Sequence, residues 1–263
     1  MGSHDEKGVG VNDVALVQAF SKYFDLVVPA EGSEEMNEIF RMRYEVYCRE
    51  FRYEREEDCP GGMETDGYDA RSWHCMVRHR PSRYAAGCVR LIHCEPEDPS
   101  SLLPLESKFG ESLFHPELRP ELLDRGTICE ISRLAVHSTF RRRVGELSTP
   151  LGNLASFNFA PDQIRTFPLV TICLFMAVLI VGGARGKEHG FAMMEPRLAR
   201  LLKLSGFQFT QVGESVDYHG ARAAYYMDLT HALRVVRASR VLGKLYSTAQ
   251  HRLEETTGWR ETA

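Results

Sequence analysis

The sequence predicts an α/β (α+β) domain in which a central mixed, twisted sheet is flanked by helices. Two observations support this fold class: apolar segments of strand length alternate with helical segments, and no internal repeat or low-complexity run interrupts them. The 263 residues are 43% hydrophobic and 26% charged, which is the composition of an ordinary globular protein. Wholesale disorder and collagen-like structure are therefore excluded.

The first elements carry clear boundary signals. A short apolar strand at 24–28 precedes Ser33, which is expected to cap a helix at 33–50 with Glu34 and Glu35 in its first turn. Strands at 73–79 and 88–94 form a hairpin, and the proline-rich connection that follows predicts a functional or disordered segment. The next strand is expected at 127–137.

The second half contains an uncharged segment, 167–184, at the lower length limit for a membrane span. Pro168 opens it and Gly182-Gly183 closes it, so a fully buried core helix is predicted, with a membrane anchor as the alternative. Three further strands and two helices complete the domain. The strands are expected at 189–194, 207–212 and 223–229, and the helices at 197–205 and 231–248.

Charge and cysteine content limit the partners and the compartment. The balance of 32 Lys+Arg against 36 Asp+Glu gives a formal net charge of −4, which argues against a nucleic-acid binder that relies on bulk positive charge. The seven cysteines include no C-x-x-C pair and predict free thiols in a cytoplasmic protein. Residues 1–12 are polar, without an apolar signal segment, and predict a flexible tail. The histidines lack ligand spacing, so no metal site is predicted.

The helix at 33–50 places an arginine on an apolar stripe. Met36, Phe40, Arg43 and Tyr47 share one helix face. A buried guanidinium needs a carboxylate or an anionic ligand, so Arg43 predicts either a structural ion pair or a binding site. Further along, Asp66 and Asp69 surround a glycine in a turn, whereas the acidic run at 54–58 is predicted to be a solvated face.

The strand at 127–137 carries the strongest chemical signal. Strict alternation predicts that Glu130, Ser132, Leu134 and Val136 point one way, with Ile131, Arg133 and Ala135 pointing the other way. A buried glutamate with a raised pKa is suited to act as a general base near neutral pH. The following Arg141-Arg142-Arg143-Val-Gly145 predicts an anion site for a phosphate or pyrophosphate.

These motifs together resemble the signature of acyl-homoserine-lactone (autoinducer) synthases, which have the GNAT acyltransferase fold. The pattern is Arg43-x-x-Val46-Tyr47, Asp66-x-x-Asp69, Val89-Arg90-Leu91 and Glu130-x-Ser132-Arg133-Leu-Ala-Val136. A closer resemblance is to acyltransferases associated with the PEP-CTERM/exosortase system, which are related to N-acyl amino acid synthases. The further motifs that carry it are Tyr23-Phe-Asp-Leu, Phe140-Arg-Arg-Arg143, Met194-Glu-Pro-Arg197 and Tyr218-His-Gly220.

The resemblance implies an acyltransferase domain at 13–230, followed by a C-terminal helix and tail at 231–263. The implied reaction moves a fatty acyl group from an acyl carrier protein thioester to the amine of an amino acid, with no tightly bound cofactor. Implied catalytic residues are Glu130, Ser132 and Arg133, and implied substrate-binding residues are Arg43, Tyr47, Asp66, Asp69 and Arg90. Implied acyl-donor-binding residues are Leu134, Val136, Arg141, Arg142, Arg143 and Gly145.

Two departures from the family pattern refine the expected substrates. Tyr47 stands where autoinducer synthases have Phe, and Phe51 and Tyr53 stand where a tryptophan is usual, which favours an acceptor other than S-adenosylmethionine. Leu147 occupies a position where the GNAT turn has a small residue, which favours the pantetheine arm of a carrier protein over coenzyme A. The backbone N–H groups near Leu134 to His137 are expected to stabilise the oxyanion.

Three alternative functions remain open at this stage. They are an acyl-homoserine-lactone synthase using S-adenosylmethionine, a coenzyme-A-dependent N-acetyltransferase, and a non-catalytic module that binds acyl groups or carrier protein. Product formation separates the last of these from the enzymes.

Overall fold

The computed structural model describes residues 14–141, 159 and 161–257. Within that part of the chain, eight strands form a sheet in the order β1-β2-β3-β4-β5-β8-β6, with β7 beside β8. The strands are β1 (Phe24–Val27), β2 (Ser72–His79), β3 (Ala85–His93), β4 (Ile128–Val136), β5 (His189–Met194), β6 (Thr210–Gln211), β7 (Val216–Asp217) and β8 (Ala221–Asp228). The helices are α1 (Val14–Tyr23), α2 (Glu34–Arg43), α3 (Pro104–Phe109), α4 (Pro161–Ile164), α5 (Leu169–Ala184), α6 (Pro196–Leu204), α7 (Leu229–Ala238) and α8 (Arg240–Thr257).

The sheet is mixed because one strand pair in it is parallel. Strands β1 to β4 pair with their neighbours in antiparallel fashion, as do β5 and β8. Strands β4 and β5 are parallel and pair only from Ile128–His189 to Glu130–Phe191. Beyond Glu130, β4 continues to Val136 without pairing to β5, so the two strands part and leave an opening in the sheet.

The uncharged segment forms the centre of the main core, as predicted. Helix α5 lies against β2 and β3, and its residues from Leu169 to Gly182 are buried except Thr171. A helix that is apolar on all sides is stable when other elements cover each side, here the sheet on one side and α7 and α8 on the other. In the described part of the chain, no helix is both long and apolar enough to cross a membrane.

The opposite face of the sheet holds two smaller apolar clusters. One gathers Ile92, Leu103, Leu105 and Phe191, so the proline-rich connection is ordered where α3 packs on the sheet. The other gathers Ile39 and Met42 of α2 with residues of β2 to β4. Helix α2 begins where predicted, because the Ser33 hydroxyl accepts a hydrogen bond from the backbone N–H of Met36. A π-helical turn, Tyr44–Glu50, continues it.

Two predicted elements differ in the structure. The single helix predicted at 231–248 is wrong: α7 and α8 meet at Ser239, whose backbone is extended and whose hydroxyl accepts from the N–H of Leu242, so it begins α8. The strand predicted at 207–212 is reduced to Thr210–Gln211. Phe207 instead packs into the main core, with its ring 5.2 Å from that of Phe175. The predicted domain boundaries stay a prediction, although α8 shares the main core with α1.

Candidate active site

Glu130 lies at the base of the opening between β4 and β5. It belongs to the last residue pair before the strands part, and only 4% of it is exposed. Burial raises its pKa to about 7, against the opposing effects of a backbone hydrogen bond and the positive charge of Arg90. The hydrogen bond comes from the N–H of Leu105, in the first turn of α3, which donates to Oε2 at 2.8 Å. Glu130 is therefore buried, as the apolar strand around it predicted, and its role as a base stays a prediction.

Strand β4 contains a bulge that changes the direction of its side chains. Arg90 pairs with Ser132 but Cys88 pairs with Ala135, so Arg133 and Leu134 together face one residue of β3. Arg133 adopts a left-handed backbone with φ of 49°. Strict alternation was therefore a wrong prediction after Ser132.

The bulge determines which side chains of β4 lie on each face of the sheet. Arg133 joins Glu130 and Ser132 on the α2 and α3 face. Leu134 and Val136, predicted to point with Glu130, instead pack against the core of α5.

Three arginines and three carboxylates form a network beside Glu130. Arg43 is fully buried and donates to Glu64 at 2.5 Å and to Asp69 at 2.7 and 3.2 Å. Arg90 donates to Asp66 at 2.6 and 3.0 Å and to Asp69 at 2.6 Å. Its Nε donates to the hydroxyl of Ser132 at 3.0 Å. The predicted site residues from four separate motifs thus lie together.

Arg133 is the most accessible arginine of this network, with 19% of its side chain exposed. Its guanidinium donates to Glu64 at 2.8 Å and lies 3.1 Å from Asp66. It also donates to Glu54 at 3.2 Å, and its carbon Cζ lies 5.3 Å from the ring centroid of Tyr47. Glu54 was predicted to be part of a solvated face, which is wrong for this residue because it closes the network above Arg133.

The arginines keep the carboxylates ionised in spite of burial. Burial alone would raise the pKa of Asp69, but hydrogen bonding and attraction from Arg43, together with Arg90, hold that pKa well below its usual range. The pKa values of Glu64 and Asp66 are lowered by the same balance. The three positive charges are thus matched by Glu64, Asp66 and Asp69, and Glu54 adds a fourth, more exposed carboxylate beside Arg133.

The nearby histidine is neutral at physiological pH. Burial lowers the pKa of His74 to about 4, although its Nε2 lies 3.5 Å from Asp69. The neutral imidazole keeps one N–H but has no positive charge, so His74 adds no charge to the network.

Glu64 is the network residue that sequence reasoning missed. Its side chain is 3% exposed and contacts both Arg43 and Arg133. The signal was present in the count of charges, because three arginines were assigned to the site and, apart from Glu130 as the base, only Asp66 and Asp69 were assigned to balance them. Glu64 stands two residues before Asp66, and its N–H donates to the carbonyl of Phe40 in α2.

Tyr47 connects the π-helical turn to the bulge. Its hydroxyl donates to the carbonyl oxygen of Leu134 at 3.0 Å, and burial raises the pKa of the phenol. Of the N–H groups predicted to stabilise an oxyanion, that of His137 donates to the carbonyl of Ala86 at 2.9 Å and is therefore already used.

The predicted donor-binding arginines are only partly described. Arg141 pairs with Glu50 and lies 4.9 Å from the ring centroid of Phe51. Arg142, Arg143 and Gly145 lie outside the described residues.

Comparison with known proteins agrees with this geometry. Residues 42–149 match the family model described as an acetyltransferase (GNAT) domain. The chain has the GNAT acyltransferase fold. The predicted fold class is therefore confirmed, and so, at the level of class, is the prediction of an acyltransferase. No curated protein sequence matches the chain.

Three solved structures are similar to most of this chain. The acyl-homoserine-lactone synthase LasI is 18% identical, with 78% of this chain and 89% of that chain covered and a TM-score of 0.53. BjaI, a CoA-dependent acyl-homoserine lactone synthase solved with SAM and isopentyl-CoA, is 17% identical, with coverages of 86% and 89% and a TM-score of 0.55. FeeM, an N-acyl amino acid synthase from uncultured soil microbes, is 15% identical, with coverages of 81% and 94% and a TM-score of 0.50.

Proposed function

We propose that this protein is an N-acyltransferase that moves a fatty acyl group from an acyl carrier protein thioester to the amine of an amino acid. The observation that carries the proposal is Glu130, a buried carboxyl with a pKa of about 7 at the point where β4 and β5 part. A group that titrates near neutral pH suits general base catalysis, since it is both available as the base and able to bind the proton.

The proposed reaction is aminolysis of a thioester. The carboxylate of Glu130, directly or through one water, takes a proton from the acceptor's ammonium group. The free amine attacks the thioester carbon, the new C–N bond forms, and the C–S bond breaks. The nitrogen gives its second proton to the leaving thiolate. Glu130 then releases the ammonium's proton to solvent and returns to its ionised state.

We place the thioester beside the bulge of β4. Leu134 is out of register with β3, and its carbonyl oxygen is fixed by the hydroxyl of Tyr47. A backbone N–H held rigidly beside the opening stabilises an oxyanion more than water does, because it needs no reorganisation during the reaction. We assign this role to the N–H of Leu134. The backbone of Leu134 and Val136 then lines the path of the pantetheine arm.

The surface on either side of the opening suits an acidic carrier protein. Arg141 follows β4, and α6 follows β5 with three exposed cations, Arg197, Arg200 and Lys203. A carrier protein is acidic, so these cations increase its rate of association more than its affinity. Carrier protein in preference to coenzyme A is part of the proposal, with Arg142, Arg143 and Gly145 proposed as further donor contacts.

The network residues are proposed to position the acceptor pocket. Arg43 has no exposed surface and Arg90 is 2% exposed, so both act through Glu64, Asp66 and Asp69. Ser132 orients Arg90. Arg133 and Tyr47, which lie beside the opening, are the residues of this set proposed to border the acceptor.

The test is mass spectrometry of lipids from a bacterial host that expresses the protein, with Glu130→Gln as the matched control. We expect N-acyl amino acids in cells with the wild-type protein and their loss in the variant. Purified protein with dodecanoyl-carrier protein and a pool of the twenty amino acids gives the same readout in vitro. Acyl-homoserine lactones would instead support the autoinducer synthase, and no product in either assay contradicts the proposal.

Two finer points of the proposal concern the cell that uses the enzyme. The resemblance to exosortase-associated acyltransferases supports a role in cells that contain that system. The described cysteines are all free and buried, which supports a reaction in the reducing cytoplasm.

A further inference from the structure

The proposed amino acid acceptor needs a cation that binds its carboxylate. An amino acid brings a carboxylate as well as an amine, and a carboxylate in a protein pocket is best recognised by a guanidinium. Arg43, Arg90 and Arg133 already donate to carboxylates of the protein, at distances from 2.5 to 3.3 Å. The charges of these arginines are matched by carboxylates of the protein, three of which lie within 3.2 Å of Arg133, so a cation without such a partner is better suited to the acceptor.

Arg222 is such a cation, at the start of β8. Its carbon Cζ lies 5.3 Å from the ring centroid of Tyr53 and 5.9 Å from that of Tyr218. Within residues 14–141, 159 and 161–257, it forms no ion pair with a carboxylate, and its Nε is buried without a hydrogen-bond partner. Two aromatic rings therefore hold the guanidinium while its charge stays uncompensated.

The strand places Arg222 on the face of the sheet that carries Glu130. Ala224 and Tyr226 pack with Ile128 in one cluster, and residues two apart in a strand share a face. Arg222 stands two residues before Ala224 in β8, and Glu130 stands two residues after Ile128 in β4, so both lie on that face. Two strand spacings and four residues along β8 correspond to about 16 Å between their Cα atoms.

The guanidinium of Arg222 lies against the segment that borders the opening. Tyr53, against which it lies, precedes Glu54, the partner of Arg133 on β4. The ring of Tyr53 also stacks on that of His219 at 4.5 Å, in the turn between β7 and β8. Arg222 thus reaches from β8 toward the segment that covers β4, on the far side of the opening from Arg133.

We infer that Arg222 binds the carboxylate of the amino acid acceptor, with its guanidinium held in place by Tyr53 and Tyr218. The inference rests on the proposed function. It assigns the acceptor as an amine that carries a carboxylate and orients the amine toward Glu130. Arg133 then positions the pocket wall and does not bind the acceptor carboxylate.

The kinetic test compares wild type with Arg222→Gln and Arg222→Lys. The acceptors are the amino acid that wild type acylates fastest and its carboxamide. A hydrogen bond between charged groups is lost in Arg222→Gln, so we expect the KM of the amino acid to rise by about 10- to 100-fold. The KM of the carboxamide should change less than threefold, and Arg222→Lys should lie between. An equal rise in KM for the amino acid and for its carboxamide would overturn the inference.

Arg185→Gln is the matched control. Arg185 also lies over an aromatic ring, 5.4 Å from the centroid of Trp73, but that ring packs on the α5 side of the sheet. We expect wild-type kinetics from it. A rise in the KM of dodecanoyl-carrier protein alone in Arg222→Gln would assign the cation to the donor's phosphate and overturn the acceptor assignment.

A binding experiment separates this inference from the proposed function. Isothermal titration compares N-dodecanoylglycine with N-dodecanoylglycinamide, and it requires no turnover. We expect wild type to bind the carboxylate about tenfold more tightly and Arg222→Gln to bind both alike. Such a result without any turnover would sustain the carboxylate site and contradict the enzyme. An unchanged preference in Arg222→Gln, or no binding to wild type, would overturn the site even if turnover is present.

Discussion

The backbone N–H of Leu105 lies 2.8 Å from Oε2 of Glu130, although the two residues are 25 positions apart in the sequence. Leu105 belongs to the proline-rich connection, and Glu130 belongs to the strand that borders the opening in the sheet. The N–H comes from the first turn of α3, where backbone donors have no partner within the helix. The connection therefore supplies both the apolar cover that raises the pKa of Glu130 and a donor that limits this rise.

The pKa of Glu130 predicts the pH dependence of the reaction. If its carboxylate is the base, kcat/KM for the acceptor should rise tenfold per pH unit below about 7 and level off above it. Glu130→Gln should lower kcat by about 100- to 10,000-fold and remove this limb from the profile. The measurement is initial rate from pH 5 to 9. A wild-type limb retained in the variant would show that another group is the base.

The same pKa predicts an effect on folding. A carboxyl whose pKa is higher in the folded state binds its proton more tightly there, so the wild-type protein loses stability as the pH rises from about 4.5 to 7. Glu130→Gln carries no charge to bury. Relative to wild type, the variant should therefore gain roughly 3 kcal/mol in its free energy of unfolding between pH 5 and 8, at about 1.36 kcal/mol per pKa unit. Urea unfolding at both pH values measures this, and a pH-independent difference would contradict it.

Much of the site could be predicted from the sequence because its charges stand inside apolar segments. Arg43 on the stripe of α2 and Glu130 in β4 both needed a special environment, and each has one. The bulge could not be predicted, because Arg133 has no residue-type signal for a left-handed backbone. Glycine would have given that signal, whereas arginine is held there by Glu64 and Glu54.

One local and one long-range contact limited the prediction of the C-terminal half. The periodicity of residues 231–248 is helical throughout, but the break at Ser239 depends on its hydroxyl capping α8. Arg222 received no role from the sequence, because its importance comes from Tyr53, which lies far away along the chain.

Tyr47→Phe tests the contact between the π-helical turn and the bulge. The variant loses one buried hydrogen bond and leaves the carbonyl oxygen of Leu134 without its partner, so we expect about 1–3 kcal/mol of destabilisation. If the N–H of Leu134 stabilises the oxyanion, kcat should also fall. The KM of the acceptor should stay within a factor of two, because Phe keeps the ring that borders the acceptor. Tyr84→Phe is the control, because Tyr84 is exposed, and it should change neither the stability nor kcat. A rise in acceptor KM without loss of kcat would argue for a binding role instead.

Arg43 tests whether the network is mainly structural. Arg43→Met leaves Glu64 and Asp69 without their fully buried partner, and breaking a buried pair from one side costs about 3–5 kcal/mol. Arg41→Met, two residues away on the exposed side of α2, removes only a surface pair with Glu34 and should cost less than about 1 kcal/mol. Urea unfolding at pH 7 measures both variants.

At acid pH, the difference in free energy of unfolding between wild type and Arg43→Met should become smaller. The pKa of Asp69 is lowered in the folded protein, so the stability that it contributes is present above its unfolded pKa of about 3.9 and is lost as the pH falls below that value. The cost of Arg43→Met should therefore be smaller at pH 3 than at pH 7. If the cost is the same at both pH values, Arg43 stabilises the fold through packing of its side chain and not through its charge.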